Sequence, residues 1–202
     1  MIRNIIFDFG DIFIDLDKPA TLRMLKHFGY DSPTSAQQDL FNTYEKGLVS
    51  TSVFLERMHG FFPTATKEEL ITGWNSILKD FPDHRLDFIV DLAKTGQHRL
   101  FLLSNTNDIH IECVKERMGR AKFERFKNCF EFFYLSYEMG MRKPDAEIFE
   151  FVVQEQQLEV RETLFIDDSK DNTDTASQLG LQVWNLQVGQ EEVTELKGRF
   201  DV

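Results

Sequence analysis

The sequence predicts an α/β fold: a Rossmann-like doubly wound parallel sheet with a small helical cap inserted after the first strand. Three observations lead there. Short apolar runs recur along the chain, as strands buried on both faces require. Amphipathic helical patterns separate them, the alternation that builds a parallel sheet with helices on both sides. One stretch, residues 16–83, breaks that alternation with several helical patterns and no good strand.

The strand runs are Ile5-Ile6-Phe7, Leu100 to Leu103, Thr163 to Ile166 and Leu181 to Trp184, with Phe130 to Leu135 as a fifth. Between them, Leu86, Ile89, Val90 and Ala93 make one helical face, and Ile148, Phe149, Val152 and Val153 another. The irregular stretch reads as helices over Ala20 to Phe28, Ser35 to Glu45, Ser52 to Met58 and Lys67 to Leu78. Ser32-Pro33-Thr34 and Thr64-Ala65-Thr66 supply helix starts, and Gly29 and Gly47 supply stops. The expected division is therefore a catalytic core of residues 1–15 and 84–202 and a helical cap of residues 16–83. The Phe-rich stretch of Phe123, Phe126, Phe130, Phe132 and Phe133 is expected in the core.

Composition narrows the function. A formal net charge of -11 argues against a nucleic-acid partner, which needs a basic face. No apolar run approaches a membrane span, so no membrane partner is expected. The N-terminal apolar run meets Asp8 too soon for a signal peptide, and a cytoplasmic location is expected. Cys113 and Cys129 form no C-x-x-C pair and read as reduced thiols. The histidines are scattered and none is assigned a role. No protein partner is inferable.

In a parallel sheet, ligands bind beyond the carboxyl ends of the strands. Asp8-Phe9-Gly10-Asp11 follows the first strand, Ser104-Asn105-Thr106-Asn107 the second, and Asp167-Asp168-Ser169-Lys170 the fourth. Gly140-Met141-Arg142-Lys143-Pro144 lies before the next helix, with Pro144 suited to that helix's first turn. Any one acidic pair is weak evidence in a chain with 34 acidic residues. Four polar clusters on one sheet edge are a stronger signal. Carboxylates grouped with a cation suggest Mg²⁺, which prefers oxygen ligands, and hydroxyl and amide groups suit a phosphate.

These clusters, in this order and spacing, resemble the motifs of the haloacid dehalogenase (HAD) superfamily across nearly the whole chain. Phe7 to Ile12 resembles its first motif, Leu103 to Asn107 its second, Lys143 its third, and Phe165 to Ser169 with Asn172 its fourth. The helical insert resembles the cap of the subgroup in which the cap follows the first motif. Within it, the Ser104 to Asn107 and Gly140 to Pro144 runs resemble the bacterial α-D-glucose-1-phosphate phosphatases. The resemblance implies an Mg²⁺-dependent phosphomonoester hydrolase acting on a small phosphorylated metabolite such as a sugar phosphate. Asp8 would be the nucleophile and form an aspartyl-phosphate. Asp8, the Gly10 carbonyl and Asp168 would hold the metal, with Asp167 acting nearby or through water. Lys143 would offset the repulsion between nucleophile and phosphate, and Ser104 and the Asn105 backbone amide would bind phosphate oxygens.

One departure matters. Most family phosphatases carry a second Asp two residues after the nucleophile, as the acid that protonates the leaving alcohol. Here that position is Gly10. Its loss should cost roughly 10²–10⁴ in rate. Asp11 is adjacent, but on an extended segment its side chain points elsewhere. Three readings stay open: a phosphatase for substrates with easy leaving groups, a catalytically weak phospho-ligand-binding relative, and a 2-haloacid dehalogenase. Dehalogenases use no Mg²⁺ and lack the Asp167-Asp168 pattern.

Overall fold

In the computed structural model, which describes residues 1–200, five parallel strands stand in the order β3-β2-β1-β4-β5. They are β1 (Asn4–Phe7), β2 (Arg99–Ser104), β3 (Phe132–Leu135), β4 (Thr163–Asp167) and β5 (Gln182–Asn185). The order reverses between β1 and β4, so the crevice at the carboxyl ends of these central strands is the natural ligand site. Period-two alternation divides the core. Ile5, Phe7, Leu100, Leu102, Leu164 and Ile166 pack on one face beneath α5 (Asp83–Thr95), α6 (Asp108–Met118) and α7 (Arg120–Lys127). Ile6, Phe101, Leu103 and Phe165 pack on the other against α9 (Ala146–Glu155) and α10 (Lys170–Gln178). A one-turn helix, α8 (Ser136–Met139), follows β3, and α11 (Leu196–Arg199) follows β5.

Between β1 and α5 lie α1 (Ala20–Leu25), which tightens into a 3₁₀ turn at Lys26–Phe28, α2 (Ser35–Glu45), α3 (Thr51–Phe61) and α4 (Lys67–Asn75). They share a core of their own, including Leu25, Leu40, Phe41, Tyr44, Phe54, Met58 and Trp74. Thr34 and Thr66 each close a capping box, with Gln37 and Glu69. Such caps contribute about 1 kcal/mol each. Gly29 and Gly47 end their helices in left-handed geometry. The two chain crossings into this unit pair with each other: Asp15 N–H donates to Asp80, Asp17 N–H to Ile77 and Lys79 N–H to Asp15.

Several local expectations are corrected. Helix α4 stops at Asn75, not Leu78, because the chain must then extend to pair with residues 15–17. Strand β5 starts one residue late, at Gln182, where its pairing with Leu164 begins. Pro144 is not in the first turn of α9; that helix begins at Ala146 with Asp145 at its cap. Phe132 is exposed, because β3 is an edge strand, whereas Phe123, Phe126 and Phe130 are buried. The segment after Asp8 is a tight turn and not extended, with Asp11 at φ 55°. No helix is long and apolar enough to cross a membrane among the described residues.

Candidate active site

Asp8 continues β1, its N–H donating to Ile166 on β4. The ladder therefore holds the carboxylate at the switch point. Lys143 reaches it from across the crevice. Its Nζ donates to Asp8 Oδ1 at 2.7 Å, Asp167 Oδ2 at 2.6 Å and the Leu103 carbonyl at 2.7 Å. All three ammonium protons are thus spent, and the side chain is 1% exposed. A buried ammonium with these partners is held by design of the surroundings, since an unpaired one would lose its proton. Burial works against the charged lysine, but Asp167 and Asp8 outweigh it and its pKa stands above the ordinary value.

Asp167 is the most committed carboxylate. Besides Lys143 it accepts Asn172 Nδ2 at 2.9 Å and the Ser169 N–H at 2.8 Å, and it is fully buried. Asp168 points toward the crevice instead. Its side chain meets Lys18, whose Nζ also lies 3.0 Å from Asp11. Asp8, Asp167 and Asp168 each offer a carboxylate oxygen within 4.8 Å of the others. One buried lysine cannot balance three clustered carboxylates. Burial pushes Asp8 up to about 7, with Asp167 adding to the rise and Lys143 opposing it. Burial also raises Asp168, against Lys18. A hard divalent cation between Asp8 and Asp168 would restore balance, and the Gly10 carbonyl accepts no hydrogen bond from the described residues. This all-oxygen donor set fits Mg²⁺.

The other expected residues are less uniform. Ser104 ends β2 and is buried, its Oγ only loosely placed, 3.5 Å from the Asn105 carbonyl. Asn105 has an additional position the sequence did not suggest. Its side-chain amide accepts from Lys143 N–H at 2.9 Å and donates to the Lys143 carbonyl at 2.8 Å. Both backbone groups of the lysine are therefore held by the second motif. Asn107 does not reach the crevice: it caps α6 through the His110 N–H and accepts the Trp74 indole N–H at 3.3 Å. His110 lies between the layers, 3.1 Å from the Trp74 carbonyl and 3.1 Å from Asn107 Nδ2. Burial lowers its pKa to about 4. The neutral ring donates to the carbonyl and accepts from the amide, so it ties the helical unit to the core.

Position 10, where the acid is missing, borders Leu16. A Cβ there would meet Leu16 Cδ1 at 2.7 Å, and Asp8 Oδ2 would lie 3.8 Å away. Leu16 fills the space beside Gly10. Gly10 is not among the residues with positive φ, so a side chain there is crowded only by the tip of Leu16, which must shift to admit it. Asp11 does not replace the lost group: its carboxylate accepts the Leu16 N–H at 2.9 Å and faces Lys18.

A cavity of about 540 Å³ opens beside these groups, lined by Lys18, Asn105, Arg142, Lys143, Asp168 and Asn172 among others. A larger groove of about 870 Å³ runs along the chain crossings, past Leu78, Phe81 and Arg117. Two of its cations are engaged, Arg117 on the Leu78 carbonyl and Lys122 on Asp83, and no carboxylate cluster converges there. The smaller cavity is therefore the chemical one. Lys18 was missed because its partners, Asp11 and Asp168, meet it only through the turn after β1.

Comparison with known proteins gives the family. Residues 31–180 match the family described as haloacid dehalogenase-like hydrolase. A D-ribitol-5-phosphate phosphatase from Bacteroides thetaiotaomicron is 28% identical over 202 residues, 97% of each chain. A HAD family enzyme from the same organism, in complex with magnesium and inorganic phosphate, superposes with TM-score 0.80 at 32% identity, over 95% of this chain and 97% of that one. A HAD-like family hydrolase from Porphyromonas gingivalis gives TM-score 0.81 at 27% identity, over 98% and 97%. With the family model matched over most of this chain and the motifs gathered at one strand edge, this chain belongs to the haloacid dehalogenase-like hydrolases, on their phosphatase branch.

Proposed function

We propose that the protein hydrolyses a small phosphorylated metabolite, a sugar or polyol phosphate, through an aspartyl-phosphate on Asp8. The observation that carries this reading is the Asp8–Lys143–Asp167 cluster at the switch point, with Asp168 open to the cavity. Asp8, the Gly10 carbonyl and Asp168 would hold Mg²⁺, which would supply positive charge against the repulsion between carboxylate and phosphate. An Asp8 oxygen attacks phosphorus, and the bond to the bridging oxygen breaks with its electron pair leaving on the alkoxide oxygen, which takes its proton from solvent. Lys143 lowers the repulsion between carboxylate and phosphate. Ser104 and the Asn105 N–H bind phosphate oxygens. Water then attacks phosphorus, releasing phosphate and restoring Asp8. The named relatives, one of them a ribitol-5-phosphate phosphatase, support this class of substrate. The unit of residues 16–83 serves as the cap that closes over it.

Phosphate release from a panel of sugar and polyol phosphates, with ribitol 5-phosphate and α-D-glucose 1-phosphate included, tests the reading. Turnover is expected with Mg²⁺ and should vanish on chelation. Turnover indifferent to chelation, or none on any member, would overturn it. A weakly active phospho-ligand binder is the second reading, favoured by Leu16 standing where the proton donor would be. Binding of inorganic phosphate with Mg²⁺ and no turnover on the panel distinguishes it.

Two predictions follow from the site. Asp168→Ala should weaken Mg²⁺ binding in calorimetry by about tenfold or more, while Mg²⁺ affinity that stays at the native value would remove Asp168 from the metal site. The rate should also depend steeply on leaving-group acidity, because Gly10 provides no proton. An aryl or anomeric phosphate should turn over faster than a primary alkyl phosphate by roughly 10²-fold. Gly10→Asp alone strikes Leu16, so the paired variant Gly10→Asp/Leu16→Ala should recover alkyl turnover best. Equal native rates across the series would mean that another group already donates the proton.

A further inference from the structure

The cap and core meet at an ion pair beside the catalytic lysine. Arg142 precedes Lys143, whose backbone is held on both sides by Asn105, so its starting point is as rigid as the nucleophile's partner. Successive side chains diverge on non-helical backbone. Lys143 turns to Asp8, and Arg142 turns to Glu45 at the end of α2 while still lining the cavity. The cap end is anchored there by other contacts. Ser136 Oγ donates to the Glu45 carbonyl at 2.6 Å, and Lys46 meets Asp145 at 2.8 Å. Gly47 lies so close to the Tyr137 carbonyl that a Cβ would sit 1.9 Å from it.

The pair is only partly spent. Arg142 Nε and Nη2 both contact the same carboxylate oxygen, Glu45 Oε2, at 3.1 and 3.0 Å. Among the described residues, Arg142 Nη1 and Glu45 Oε1 have no hydrogen-bond partner. That leaves a donor on Arg142, which lines the cavity, and an acceptor beside it on Glu45. A hydroxyl can donate to the carboxylate oxygen while its neighbour accepts from the guanidinium. The pair carries no net charge, so it offers a second anionic group no net attraction. It suits neutral hydroxyls better than a second phosphate or a carboxylate.

We propose that Arg142 and Glu45 form a hydroxyl-reading subsite, which selects phosphate monoesters carrying adjacent hydroxyls, such as linear polyol phosphates, over bisphosphates and acid phosphates. This rests on the phosphatase reading and deepens it by naming the part of the substrate beyond the phosphate. The subsite is half cap and half core, so it is complete only when the cap is seated.

Binding reads it without turnover. In the Asp8→Asn background with Mg²⁺, calorimetry measures the affinities of D-ribitol 5-phosphate and of inorganic phosphate. The polyol ester should bind more tightly than phosphate. In Asp8→Asn/Glu45→Gln and in Asp8→Asn/Arg142→Gln, that ratio should fall by about tenfold, the loss of one or two charge-assisted hydrogen bonds. Circular dichroism of each variant confirms a native fold, and two independent substitutions guard against loss of either. A ratio unchanged in both, or a polyol ester bound no more tightly than phosphate in the parent, overturns the subsite. Failure of the phosphatase reading shows separately, as no phosphate released by the native protein from phenyl phosphate with Mg²⁺.

Discussion

Replacing Asp8 with asparagine is expected to lower turnover by roughly four orders of magnitude or more, as removal of a nucleophile does, while leaving the fold intact. The two expectations have one cause. Lys143 is shared by Asp8 and Asp167, so the buried group carries one more negative charge than positive. Asp8→Asn removes that excess and leaves a balanced Lys143–Asp167 pair, still supported by Asn172 and the Leu103 carbonyl. Thermal stability should stay level or rise, since burial already works against ionised Asp8. Phosphate release and a thermal melt on the same preparation check both. Activity retained near the native level would remove Asp8 from the chemistry. Lost activity accompanied by unfolding would leave the residue with a structural role only.

Lys143→Ala is expected to damage both properties. It leaves Asp8 and Asp167 facing each other in the interior with no cation between them. Breaking a buried ion pair from one side typically costs about 3–5 kcal/mol. Asp8 would answer by holding its proton to higher pH, which deprives it of nucleophilic character, so activity should fall by roughly 10³-fold or more. A second substitution separates the effects. In Lys143→Ala/Asp167→Asn one of the stranded charges is gone, and much of the stability should return. Activity should not, because the charge that offsets nucleophile–phosphate repulsion is still missing. Urea unfolding and phosphate release on the single and double variants provide the comparison. If activity returned together with stability, Lys143 would be a scaffold residue and not a participant.

Much of this was legible in the sequence, for a physical reason. A parallel sheet puts whatever follows each strand at one edge, so strands found by apolar runs bring Asp8, Ser104 and Asp167-Asp168 together without further information. The helical insert was legible from its starts: Thr34 and Thr66 are followed three residues later by Gln37 and Glu69, and those caps form. What was not legible depends on contacts between residues far apart in the chain. Nothing local tells that the Asn105 amide holds the Lys143 backbone, that Lys18 crosses to Asp168, or that Leu16 fills the space beside Gly10. Apolar periodicity locates a helix but not its tertiary neighbours, so the joining of Trp74, Asn107 and His110 between helical insert and core was also out of reach. Helix α4 ended early for a similar reason: its apolar pattern runs on through Leu78, but pairing with residues 15–17 claims that segment.

The most direct measurement is capture of the covalent intermediate. Native protein with Mg²⁺ and phenyl phosphate is quenched in acid during the first turnover, digested and mapped by mass spectrometry. A single phosphoryl group is expected on the peptide that contains Asp8, absent from the Asp8→Asn variant and absent when Mg²⁺ is chelated. Phosphate released by native protein while the phosphoryl group is found on a different residue, with Asp8 unmodified, would contradict the assignment of Asp8 as nucleophile.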